Sequence, residues 1–257
     1  MKMGKHVVMV CGAMACFGSA NAALVVQDSS TFDFKYEMDV VSSTQDLDAN
    51  TVSDWFGGVA GGLTIPQVSG GIAGSDLGAG EQLWRSDIGG SISRAAILGD
   101  YTIEFSVFVN SDGNGGAGTA GYFGVVLDHV NDTPSLRLNI DANEVNFNFD
   151  GADPIATADN TDGFHTFRIA YDTSNGSDDY YVWRDGVLLG GPIAPTNGSA
   201  NGSGVFFLGN FSGSLGGNWQ VDYIRIDKDG AFAPVPEPGS LVLLALGGLT
   251  LARRRRD

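Results

Sequence analysis

Apolar and polar residues alternate most cleanly over 101–109, where Tyr101, Ile103, Phe105, Val107 and Val109 fall on one side of an extended chain. A period of two marks a half-buried strand whose apolar face builds core. The alternation recurs at 135–140 with Leu136, Leu138 and Ile140, and at 143–149 with Val145, Phe147 and Phe149. Asp141 and Ala142, with Asn143, lie between these runs and predict a tight hairpin. Further strands are predicted at 31–38, 82–88, 122–128, 164–172, 180–184, 205–208 and 219–227, which makes ten. Gly-, Asn- and Asp-rich loops join them without helical periodicity, so the pattern predicts two antiparallel sheets packed face to face.

Composition sharpens that class. The 257 residues include 38 Gly and 8 Pro, and their acids are 25 Asp against 5 Glu, a mixture that favours turns over helix interiors. Across 23–238 eight basic residues face 29 acids, a net charge of −21. Such a surface repels nucleic acid and anionic polymers, and it offers oxygen ligands to a hard cation such as Ca²⁺. Roughly two hundred residues suffice for one sandwich core.

The two ends read as addresses. Lys2 and Lys5, an apolar run over 7–17 and the small residues Ala20 and Ala22 form a secretory signal peptide over 1–22, cleaved after Ala22. Cys11 and Cys16 both lie inside it, so the exported chain carries no disulfide. At the other end Pro236-Glu237-Pro238 precedes an apolar stretch over 241–252 and then Arg253, Arg254, Arg255 and Arg256. In this order the three parts closely resemble a PEP-CTERM sorting signal, assigned to 233–257. The resemblance implies recognition by an exosortase-type membrane protease, cleavage near Pro236-Glu237-Pro238, and delivery of the body to the cell surface or extracellular matrix. Independently of the family, residues 239–252 would span ~21 Å as a helix against a ~30 Å hydrocarbon core, which suits a short transmembrane helix used for transient anchoring. The arginines would stay on the cytoplasmic side while the body, carried out by the export machinery, sits outside.

A second resemblance lies in the body, assigned to 23–232. Phe164-His165-Thr166-Phe167-Arg168-Ile169, then Tyr180-Tyr181-Val182-Trp183-Arg184-Asp185-Gly186, then Trp219-Gln220-Val221-Asp222-Tyr223-Ile224-Arg225-Ile226 are similar to successive strands of a laminin-G-like, concanavalin A-like jelly roll. The resemblance spans roughly 100–228 and implies an all-β, antiparallel two-sheet jelly-roll sandwich. Nothing in 23–99 takes part in it.

No pattern of catalytic residues stands out. The Glu-x-Asp-x-x-Glu strand of glucanases sharing that fold is absent, and no two glutamates are closer than 23 positions. After signal removal only His129 and His165 remain, and His165 shares its strand face with Phe167, Ile169 and Tyr171 as a structural histidine at the core edge. No Gly-x-Ser-x-Gly elbow occurs. Asn110-Ser111-Asp112-Gly113 begins like a calcium loop, but position twelve is Gly121 where a bidentate Glu belongs. Laminin-G-like domains carry Ca²⁺ at the sandwich rim, and Asp112, Asp128, Asp178 and Asp179 are the residues nominated for it. Trp55, Trp84, Trp183, Trp219 and Tyr122 are the aromatics available to stack on sugars, with core packing as their default. The expectation is a non-catalytic exported protein of the surface or matrix, acting in adhesion or by binding extracellular polysaccharide. A glycan-active hydrolase on the same fold and a purely structural matrix protein are the alternatives.

Overall fold

The computed structural model describes residues 24–37, 67–69, 72–75, 82–85, 99–111, 123–127, 136–147, 154–174, 176–194, 206–210 and 218–236. Among them are sixteen strands: β1 (Val25–Val26), β2 (Phe34–Tyr36), β3 (Gln67–Ser69), β4 (Ile72–Ser75), β5 (Gln82–Arg85), β6 (Tyr101–Ser111), β7 (Phe123–Leu127), β8 (Leu136–Ile140), β9 (Glu144–Phe147), β10 (Pro154–Thr157), β11 (His165–Asp172), β12 (Asp179–Arg184), β13 (Val187–Ile193), β14 (Phe206–Asn210), β15 (Asn218–Asp227) and β16 (Phe232–Ala233). All ten predicted strands are present within a few residues of their expected ends. The six additional ones are short or broken in composition. β10 opens on Pro154 and β13 carries Gly190, Gly191 and Pro192, residues that sheets tolerate at an edge, where both strands lie.

The strands form an eight-membered sheet, in which the path β13-β12-β11-β6-β15-β4-β3 is joined by β2 on β15, and a six-stranded sheet ordered β10-β9-β8-β7-β14-β5. Their ladders are antiparallel. The inward faces meet in one core that joins Ile103, Phe105, Phe167 and Val182 of the larger sheet to Phe123, Leu138, Val145 and Leu208 of the smaller. Phe123 bridges them, 5.3 Å from the Phe105 ring and 5.1 Å from Trp219 between centroids. The predicted hairpin between β8 and β9 is built on Asp141, whose Oδ1 accepts from the backbone N–H groups of Asn143 and Glu144.

One irregularity in β15 decides where the site lies. Trp219 and Val221 point inward, but so do Ile224 and Ile226, a change of phase that a regular strand cannot make. A bulge between Val221 and Tyr223 in the pairing with β6 absorbs the extra residue. Tyr223 and Arg225 are thereby turned to the outer face of the larger sheet. Across that face lies a parallel ribbon of β1 and β16, the two ends of the body zipped together.

Candidate functional site

The outer face of the larger sheet carries a charged row that its strands bring into register. Glu104 of β6 pairs with Arg168 of β11 on one side and with Arg225 of β15 on the other. Arg168 and Glu104 are buried, with Arg168 Nε donating to Glu104 Oε2 at 2.7 Å and Nη2 at 2.5 Å from the same oxygen. The remaining oxygen, Oε1, accepts from the Tyr223 hydroxyl at 3.1 Å. Arg225 lies over the Tyr223 ring at 4.1 Å and donates to both oxygens of Glu37 and to Ser29 Oγ.

Arg168 also holds the ribbon. Its Nη1 donates to the carbonyls of Gln27 and Ala233 at 2.7 and 2.8 Å, and its guanidinium sits 5.0 Å from the Phe32 ring. Thr102 completes the attachment, accepting from Phe232 N and donating to Gly230 O, each at 2.8 Å. One buried ion pair therefore fixes both ends of the body to β6 and β11.

Beside the end of the ribbon is a cavity of about 200 Å³ lined by Asp28, Glu104, Thr166, Arg168, Asp185 and Pro234. Its carboxylates are already engaged. Glu104 serves Arg168 and Tyr223, and Asp185 accepts from Thr166 N and bonds His165. The backbone N–H of Ser30 holds the Asp28 carboxyl below its ordinary range, so it stays ionised. Burial, with the charge of Glu104 behind it, pushes the Tyr223 hydroxyl up to about 12. Tyr223 is accordingly a neutral hydrogen-bond donor to Glu104 in the resting fold.

His165 stands where the strand pattern placed it, at the core edge. Its Nδ1 is 2.8 Å from Asp185 Oδ2 and its Nε2 2.6 Å from Asp162 Oδ1, so both ring nitrogens face carboxylates. Arg184 Nη2 also approaches Nε2 at 2.8 Å. The histidine ties the bend at 161–163 to the Asp185-Gly186 turn, where φ values of 50° and 75° give the left-handed pair that a two-residue hairpin requires.

A second polar feature lies on the outer face of the smaller sheet. Asn146, Asn139, Gly124 and Gly209 stand side by side on β9, β8, β7 and β14. Asn139 is 1 % exposed, yet neither its Oδ1 nor its Nδ2 has a hydrogen-bond partner. Asn146 donates to Asp141 and Glu144 but leaves its Oδ1 unpartnered at full burial. The adjoining glycines bring no side chain to the transect.

The predicted site residues distribute as follows. Asp178 and Asp179 stand at the β11–β12 connection, where turn chemistry dominates: Asp172 accepts from Ser174 N and Ser177 Oγ donates to Asp179 Oδ2. No group of three or more His, Cys, Asp or Glu able to hold a metal occurs among the described residues. Asp112, Asp128, His129, Trp55, Tyr122, the signal segment with Ala20 and Ala22, and the tail from Glu237 through Arg253, Arg254, Arg255 and Arg256 lie outside them. Trp219 and Trp183 are both buried, in accord with core packing. The Glu104–Arg168–Tyr223 cluster and the asparagine pair were not expected. Thr102, Glu104 and Ser106 alternate with core residues like any solvated face, and nothing local signals that a ribbon from both chain ends covers them.

Residues 234–256 match the PEP-CTERM protein-sorting motif. The motif implies an exported, surface-sorted protein handled by an exosortase-type system, as the resemblance of the tail implied. No helix among the described residues is long and apolar enough to cross a membrane. A search of the curated proteins finds no sequence match.

Solved structures similar to this fold include a Trypanosoma rangeli sialidase in complex with 2,3-difluoro-KDN (TM-score 0.47, 11 % identity), covering 66 % of this chain and 27 % of the sialidase. The carbohydrate esterase of Shiga toxin-encoding bacteriophage phi24B matches at TM-score 0.39 and 12 % identity, covering 60 % of this chain and 78 % of the esterase. The Ruminococcus gnavus IT-sialidase CBM40 bound to alpha2,3 sialyllactose matches at TM-score 0.39 and 15 % identity, over 62 % of this chain and 92 % of that one. The chain thus spans about a quarter of the length of the sialidase it matches. These likenesses correspond to a β-sandwich and are not specific to the concanavalin A-like group. They also correct one expectation. The expectation of a non-catalytic protein does not stand, because the structures resembling this one include sialidases and a carbohydrate esterase.

Proposed function

We propose that this is a surface or matrix protein delivered through its C-terminal tail, whose sandwich engages extracellular polysaccharide. Delivery is carried by the sorting motif over 234–256. The glycan reading is supported by one observation, the transect on the smaller sheet where Asn139 and Asn146 keep amide atoms unpaired at full burial beside Gly124 and Gly209. Leaving such groups unsatisfied costs about 1–3 kcal/mol each, and sugar hydroxyls, which both donate and accept, are the chemistry that would satisfy them once the transect, buried in the resting fold, opens to solvent. A body of charge −21 favours neutral polymers over acidic ones.

Two experiments test this. Expression with and without an exosortase should shift the protein between the surface fraction and the membrane; an unchanged distribution would refute tail-dependent delivery. A glycan array probed with the wild-type body and with Asn139→Leu should show binding to neutral glycans that the variant loses. Equal binding by both would show that the transect does not contact glycan.

A further inference from the structure

Among the described residues of this acidic body, the exposed large apolar side chains other than Phe164 lie on neighbouring elements. Among the described residues the exposed large hydrophobics are Val25, Val26, Phe164, Val187, Leu188 and Val235, and Phe164 packs on Phe108. The other five stand on β1, at the start of β13 and just past β16, the elements around the point where the chain leaves the body. Val25 and Val26, 68 % and 51 % exposed, form β1 beside β16, and Val235 follows β16 by two residues. Val235 and Gly186 line the same cavity, and Val187 and Leu188, 62 % and 49 % exposed, come directly after Gly186. Leu24 packs with Tyr181 and Trp183, which places β1 over the β12 side of the sheet, next to β13.

That exit is rigidly set. β16 is bonded through Ala233 O to Arg168 and to Gln27 N, and through Phe232 N to Thr102. Beyond Pro236 only five steps of chain lead to Leu241, where the apolar stretch begins. Fully extended, they reach at most ~18 Å. A body whose attachment is fixed and whose tether is this short cannot turn its exit away from the membrane that holds the tail.

We infer that the rim formed by Val25, Val26, Val187, Leu188 and Val235 is the face on which the uncleaved precursor rests against the lipid bilayer. The inference depends on the tail being a membrane segment, as the proposed delivery requires. Contact removes the exposed valine and leucine side chains from water, the same gain that seats interfacial helices in the headgroup region. It also holds Pro236-Glu237-Pro238 within reach of a membrane-embedded protease. After cleavage the tether is gone and the weak apolar contact alone no longer retains the body.

The test uses the precursor exported by a host lacking the sorting protease, purified with its tail and placed in phosphatidylcholine nanodiscs, a lipid without net charge to repel the acidic body. Single labels are introduced through Val26→Cys, Val187→Cys, Asn143→Cys on the distant sheet and Leu244→Cys in the tail, and quenching by nitroxide-bearing lipid is read. Labels at Val26, Val187 and Leu244 should be quenched severalfold more than the label at Asn143. Quenching at Leu244 with Val26 and Val187 no different from Asn143 would overturn the inference and leave the rim to a protein partner. Absence of quenching at Leu244 would instead overturn the tail's reading as a membrane segment, and this inference with it.

Discussion

Arg168 and Glu104 form a buried ion pair on the outer face of the larger sheet, 3 % and 5 % exposed, and the same guanidinium clamps the carbonyls of Gln27 and Ala233. Neutralising one partner strands the other. Glu104→Gln is expected to cost about 3–5 kcal/mol in urea denaturation, the usual penalty for an uncompensated buried charge. It should also expose the ribbon at 24–33 and 231–236 to proteolysis before the sandwich is attacked. A loss under about 1 kcal/mol would show that the pair is solvated.

The architecture was readable where side-chain period and burial coincide. Tyr101 to Val109 alternate without interruption, and all five apolar members are in the core. β13 was missed because Gly190, Gly191 and Pro192 erase the signal of an edge strand, and β1 and β16 because two residues carry no period. The charged row was missed for another reason. Glu104, Arg168 and Tyr223 lie up to 119 positions apart, and Tyr223 reaches the outer face only through a bulge that shifts the phase of β15. Register across a sheet, and what covers it, are tertiary facts that local patterns do not hold.

The turn between β12 and β13 offers a local test of residue choice. Asp185 has φ 50°, and its Oδ1 accepts from Thr166 N at 2.9 Å. Asp185→Ala places a Cβ-bearing residue without a local acceptor in the left-handed region and leaves the Thr166 amide unpaired, so a loss of about 2–3 kcal/mol is expected. Asp185→Asn keeps the acceptor and tolerates that backbone, and should remain within about 1 kcal/mol of wild type. Similar losses from both variants would mean that the charge on Asp185 matters more than the turn.

Asp227 gives a pH dependence of defined sign. Burial pushes its carboxyl up, and Asp33 adds to the rise, against the hydrogen bonds from Asp229 N and Gln27 Nε2. The folded protein therefore holds this proton more tightly than the unfolded chain. Its contribution is complete below the unfolded value of about 3.9 and is lost as pH rises through the folded one. Asp227→Asn abolishes that titration, so the variant's stability relative to wild type should improve on going from pH ~4 to pH ~7. A difference that is flat, or falls with pH, would contradict the assignment.

Asn139 separates stability from binding. Replacing a buried amide that has no partner by an apolar side chain of similar size removes an unsatisfied group, so Asn139→Leu should raise the unfolding free energy by about 1–3 kcal/mol. A protein improved in stability while losing glycan binding would have its polar group held for something outside the fold. Destabilisation on substitution would show instead that the amide is satisfied within the protein.

The position of the sorting motif predicts how far the tail can be shortened. Pro236 is exposed, whereas Ala233 accepts from Arg168 and from Gln27 N, and Ala231 and Ala233 pack with Tyr181 and Trp183. A body ending at Pro236 keeps every one of these contacts and should melt like the longer precursor freed of its membrane. One ending at Asp229 loses β16, a charge-assisted hydrogen bond to Arg168 and the partner of β1, about 2–4 kcal/mol in all. For a body of this size that corresponds to a melting temperature lower by roughly 5–15 °C. Equal melting of the two truncations would mean that β16 is not part of the folded unit, and that cleavage well inside 230–236 would leave the exported sandwich as stable as cleavage at the Pro-Glu-Pro motif.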